Sequence, residues 1–136
     1  MSSILKVSEA VALAIHACVI VAKEAESKTT TASIASILKA SEAHLSKVMQ
    51  RLTKAGIVNS VRGPGGGFVI NAKPEDIRLV DIYEAVDGVF RCNECLFDHQ
   101  ACDGQKCVLG MFIENVNKQV KTFFETKTLD NLIKGK

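Results

Sequence analysis

Apolar residues recur along this chain with changing periodicity, and each change marks a new element. From Ser8 to Glu24 the residues are apolar nearly all the way round a helical wheel. That pattern predicts a helix covered by more than one neighbour. The polar stretch ESKTTT then reads as a loop, and a second helix is predicted from Thr31, with Ile34, Ile37 and Leu38 on one face. KAS interrupts it, and Ser41 suits the N-cap of a third helix. In that helix, residues 41–55, Leu45, Val48, Met49 and Leu52 fall at i, i+3, i+4 and i+7. Gly56 ends it.

The period then changes to that of strands. Two β-rich runs, 57–61 and 68–70, flank RGPGGG, whose Pro64 and Gly65 suit a tight turn. A hairpin is expected. A short helix follows, with Leu79, Ile82, Tyr83 and Val86 inward and Gly88 stopping it. From Cys107 to about Thr126 runs a long helix with a broad stripe of Leu109, Phe112, Ile113, Val116, Val120, Phe123 and Phe124. TLDNLI adds a last turn. This order predicts a mainly α fold with a small β-hairpin wing. Residues 1–74 read as a winged helix-turn-helix, and residues 75–136 as a cysteine loop with a long C-terminal dimerisation helix. The stripe on that last helix is too broad to be left in water by one chain, so a homodimer is expected.

Composition sharpens the picture. With 136 residues and 47% apolar side chains, the chain can build one packed core. The N-terminus lacks the order of a signal peptide. The most apolar stretch, Ala10 to Ala22, contains His16 and is too short to span a bilayer. A cytoplasmic protein with reduced thiols and no membrane partner is the expectation. Net charge is +2, but its distribution is uneven: Lys39, Lys47, Arg51, Lys54 and Arg62 face only Glu42 within residues 39–62. A basic patch on a near-neutral chain is a footprint for a polyanion.

The patch lies on the third helix and the hairpin. A major groove admits one helix, which brings its N-terminal turns to base edges. The outer face of that helix offers Ser41, Ala43, His44, Ser46, Lys47, Gln50 and Arg51. Ser, His and Gln can bond bases, while Lys47 and Arg51 can reach phosphates or guanine. The wing adds Arg62 and close backbone approach at Gly65. A solvated helix face with an ordinary hairpin is the plainer alternative. A phosphate-binding loop is excluded, because RGPGGG is not followed by Lys-Ser/Thr and a helix. No nucleophile–base pair, carboxylate pair or cofactor fingerprint points to an enzyme.

Four of the five cysteines, Cys92, Cys95, Cys102 and Cys107, lie within sixteen residues in the order C-x2-C-x6-C-x4-C. Clustered thiols in a reducing compartment indicate a metal or redox site. Zinc knuckles and iron–sulfur clusters both take thiolates, so ligand softness does not separate them. His99, Asp98 and Asp103 are further candidate ligands, and Cys18 reads as a small buried hydrophobe.

The stretch HLSKVMQRLTKAGIVNSVRGPGGGFVINAKPEDIRLVDIYEAVDG resembles the IscR/NsrR/CymR-type winged-helix regulators, the Rrf-two family. The resemblance covers residues 7 to about 133 and is strongest over 44–88. It implies a homodimer with crossing C-terminal helices, bound to a pseudo-palindromic operator on double-stranded DNA, often as a repressor. Cluster-binding members carry three loop cysteines. Cys95, Cys102 and Cys107 match them, with the middle one displaced by one position. The resemblance thus implies an iron–sulfur cluster, 2Fe–2S ahead of 4Fe–4S, that senses redox state, nitric oxide or cluster status. Gly110 stands where some members place a fourth ligand, and Ala12 where others place an acid. The fourth ligand is left among His16 of the partner, Cys92 and His99. A structural zinc or plain thiol switch on the same fold is the alternative, and a non-DNA scaffold is a further one.

Overall fold

The computed structural model describes residues 7–24, 27–92, 95 and 107–135. Helix α1, Glu9–Lys23, starts at Ser8, whose side chain accepts from the Val11 N–H. Val11, Ala14, Ala17 and Cys18 are completely buried, with Val21 nearly so. The second, third and fourth helices, the last short helix and the second strand of the hairpin all pack against this helix. The all-round apolar pattern is therefore that of a central post.

Helix α2, Thr31–Leu38, and helix α3, Glu42–Lys54, are both capped by hydroxyls, from Thr30 and Ser41. The turn between them passes through Lys39 in the left-handed region, φ 53°. Leu45, Val48, Met49 and Leu52 of α3 are all buried, as their spacing predicts. In α2 the expected face is only partly correct. Ile34 is buried and Leu38 half-buried, but Ile37 is 59% exposed. An eight-residue helix that packs on α1 and α3 covers a narrow stripe, and that stripe runs through Ile34 and Ala35, on the side of Ile34 away from Ile37.

Gly56 closes α3 with φ 80°, and the Ile57 N–H returns to the Leu52 carbonyl. Strands β1, Val58–Val61, and β2, Gly67–Ile70, pair antiparallel, with Val58 opposite Ile70 and Val61 opposite Gly67. The hairpin is also anchored at its side. Thr29, from the α1–α2 connection, exchanges both backbone hydrogen bonds with Phe68, at 3.2 and 2.8 Å. A side chain at Gly67 would meet this connection head-on, since a Cβ there lies 2.8 Å from the Thr29 carbonyl oxygen.

A 3-10 turn, Pro74–Asp76, leads to α4, Leu79–Asp87, with Leu79, Val80, Ile82 and Val86 buried and Tyr83 half-buried. Helix α5, Gly110–Thr126, begins three residues later than its apolar pattern predicts. Only Ile113 and Phe124 of its stripe are buried; Leu109, Phe112 and Phe123 are exposed, and Val116 and Val120 half-buried. The reason is that α4 is its main neighbour among the described elements. The chain then returns. Leu79 N–H bonds the Lys127 carbonyl at 2.9 Å, and Leu129 N–H bonds the Ile77 carbonyl at 2.8 Å. Leu129, in the short α6 (Leu129–Ile133), is fully buried, so one core runs from Val11 to Leu129.

Replacing Gly67 with alanine is expected to destabilise the fold by about 1–3 kcal/mol, because backbone must shift rather than a flexible side chain; thermal unfolding by circular dichroism checks this. Burial pushes the Cys18 thiol from 9.0 up to about 12. The neutral thiol is the form that folding favours. Its contribution is present below pH 9 and lost as pH rises toward 12. Cys18 is expected to resist alkylation in the native protein and react only after unfolding, as mass mapping of the modified peptide will show.

Candidate nucleic-acid interface and cysteine segment

Helix α3 owes its outer face to the burial of its inner one. With Leu45, Val48, Met49 and Leu52 committed to the core, Ser41, Ala43, Lys47, Gln50 and Arg51 are exposed. His44 and Ser46 are half-buried. Ser41 Oγ accepts from the His44 N–H, so its hydroxyl is already engaged as a cap. Arg51 also has a partner within the protein: its Nη1 donates to the Val86 carbonyl at 2.9 Å. This bond spans 35 residues, and no local pattern signals it.

The wing presents Arg62, Gly63, Pro64 and Gly65 to solvent. Its tip is closed by the Gly66 N–H on the Gly63 carbonyl at 2.8 Å. At its base, Asn59 bonds Asn71, and Asn71 bonds the Gly56 carbonyl at the end of α3. A polar side-chain relay thus joins the wing to the helix beside it.

The cysteine segment leaves α4 at Gly88 and is held at once. The Phe90 ring stacks on Phe124 at 5.2 Å and meets Tyr83 edge-on at 4.8 Å. Burial raises the Tyr83 phenol, helped by Asp87 and Cys92, so it stays neutral. Cys92 lies half-buried, its Sγ 3.8 Å from the Asn117 carbonyl of α5. Cys95 is half-buried and Cys107 exposed. A Cβ added at Gly110 would lie 3.2 Å from that of Cys107. Between these two ends lies an open cleft of about 450 Å³, lined by Cys92, Gly110, Ile113, Glu114 and Asn117. Glu114 and Asn117 drew no notice in the sequence, since they sit on the polar side of an amphipathic helix.

Cys102, His99, Asp98 and Asp103 lie outside the described residues. Among those described, no three His, Cys, Asp or Glu side chains converge on a metal position. His16 is exposed on α1, although its neighbours Ala17 and Cys18 are completely buried. Its Nδ1 is 2.7 Å from the Ala12 carbonyl oxygen. A carbonyl accepts, so Nδ1 carries the proton, and in the neutral ring Nε2 keeps its lone pair.

Residues 7–135 match the profile of the Rrf2 family, described as iron-dependent transcriptional regulators. A protein of Aquifex aeolicus named as an HTH-type transcriptional regulator is 33% identical over 103 residues, 74% of this chain and 72% of that relative. The regulator IscR of Vibrio atlanticus is 31% identical over 91 residues, 67% of this chain; the chain spans 53% of its length. The structure of CymR, the global cysteine regulator of Bacillus subtilis, superposes with a TM-score of 0.79 at 28% identity, covering 98% of this chain and 99% of that one. These proteins are transcriptional regulators, not enzymes. No helix among the described residues is long and apolar enough to cross a membrane. The capped α2–α3 pair and its anchored hairpin have the winged-helix architecture of these transcriptional regulators, and the chain belongs to the Rrf2 family.

Proposed function

We propose that this chain is a homodimeric DNA-binding repressor that senses redox state, nitric oxide or iron–sulfur status through its cysteine segment. The observation that carries the DNA reading is the outward polar face of α3 beside an exposed, glycine-rich wing. Ser41, Ala43, His44, Ser46, Lys47 and Gln50 supply the groove contacts. Arg62 and Gly65 supply the wing contacts. Lys47 and Arg62 are exposed cations with no ion-pair partner among the described residues, so they are free to meet phosphates.

The uncovered stripe of α5 supports the dimer. Met111 is 81% and Phe112 61% exposed, and a second copy of the same helix would cover both. Two recognition helices in one dimer match a pseudo-palindromic operator, whose half-sites lie about one helical turn apart.

Cys95, Cys102 and Cys107 are the proposed cluster ligands. Cys92, or the partner subunit's His16, is the fourth. Two features fit this set. The cleft against α5 opens beside Cys92, and His16 has the exposure and tautomer of a ligand whose other nitrogen is held by a carbonyl. When bound, a 2Fe–2S cluster would supply a group whose charge and thiolate bonds respond to oxidants and nitric oxide. The chain's own part is to hold the start of the segment against α5, through Phe90 on Phe124 and Cys92 beside Asn117, while Cys107 at its other end lies next to Gly110, the first residue of α5. A structural zinc or a plain thiol switch is the second reading; it rests on the same thiolates.

Substituting Lys47 or Arg62 with glutamine is expected to weaken binding to every duplex and to reduce the salt slope by about one each. Fluorescence anisotropy across a salt series measures it; an unchanged slope for both removes the interface. Anaerobically purified protein is expected to be coloured, with iron and sulfide in equal amounts. A colourless preparation containing zinc selects the second reading and leaves the DNA interface intact.

A further inference from the structure

We propose that Arg51 is a positioning residue that ties the recognition helix to the exit of α4, and so to the cysteine segment, rather than a contact to DNA. The inference rests on the sensing reading above and names the joint through which it acts. Arg51 stands ten residues beyond Ser41, about 15 Å along the axis at the usual rise. The N-terminal turns of α3 are the ones that reach base edges, so Arg51 lies at the far end. Its guanidinium donates to the Val86 carbonyl at 2.9 Å.

That carbonyl belongs to the last turn of α4, where the helix ladder leaves its acceptors unmatched. A cation there also faces the negative end of the helix dipole. The next residue is held too. Asp87 Oδ2 accepts from Ser8 Oγ at 2.6 Å, and Ser8 is the N-cap of α1. Recognition helix and central post therefore grip consecutive residues, 86 and 87, at the point where the chain leaves α4. Phe90 is then fixed between Tyr83 and Phe124, and Cys92 lies against Asn117. Only five residues lie between the Arg51 acceptor and the first thiol, and contacts from α1, α3 and α5 hold this stretch. A pull on Cys92 acts on Val86, and Arg51 passes it to α3. The buried face of α3 sits in the common core, so α3 responds by tilting as a unit.

The test combines two substitutions and one probe, a labelled duplex carrying an operator selected from a random library. Cys107→Ser perturbs the segment from its far end. Arg51→Gln cuts the tie, and Arg51→Lys keeps the charge but loses the planar fork. The expected result has three parts. Cys107→Ser changes duplex affinity in the Arg51 protein. In Arg51→Gln that change shrinks at least about fivefold, the range of an allosteric coupling. The salt slope of Arg51→Gln equals that of the parent, and Arg51→Lys shows the same slope with a reduced coupling. A slope lowered by about one in Arg51→Gln makes Arg51 a phosphate contact and overturns the proposal. A Cys107→Ser effect that persists at full size in Arg51→Gln overturns it while leaving sensing intact. A Cys107→Ser change without effect in the Arg51 protein removes sensing itself, and the proposal with it. Should Arg51→Gln unfold, the Arg51→Lys arm alone decides: full coupling overturns the proposal.

Discussion

The burial of α1 is the constraint on which the remaining structure depends. Its side chains are apolar nearly all the way round, so no single partner layer can keep them from water. The chain answers by packing the helix-turn-helix, the hairpin, α4 and the returning C-terminal helix around one post. Each fully buried Leu or Val contributes roughly 1.5–3 kcal/mol. The consequence is mechanical. The helix-turn-helix, the hairpin and the C-terminal elements share a single core built on α1.

Two kinds of backbone closure complete that arrangement. Thr29 clips the wing to the start of α2, an approach that Gly67 permits because it has no Cβ. Residues 127–129 clip the chain end to the start of α4. Helix α5 is thereby tethered at its C-terminal end, through residues 127–129 and through the contact of Phe124 with Phe90. Its outer stripe remains uncovered, which is the surface the proposed dimer uses.

Much of the fold was legible because caps and periods are local. Ser41 caps α3, Gly56 and Gly88 end their helices, and the hairpin brackets RGPGGG as its residues demand. The errors were of another type. Ile37 shares the helical spacing of Ile34 and Leu38, yet lies exposed, because the width of a buried stripe is set by the neighbours and not by the helix that carries it. The apolar start of α5 extended back to Cys107 in the pattern, but Val108 and Leu109 form a turn and face solvent.

The candidate site divides in the same way. The sequence by itself determined which residue types are available for the proposed chemistry: the hydroxyl and cationic face of α3, the glycine-rich wing and the spacing of four thiols. These are matters of residue type and short-range period. Only the tertiary structure decided their connections. Arg51 meets Val86 across 35 residues, Ser8 meets Asp87 across 79, and Cys92 meets Asn117 across 25. No periodicity encodes such pairs. They arise because burying α1 leaves few ways to stack the remaining helices, and the stacking then sets which polar ends face one another.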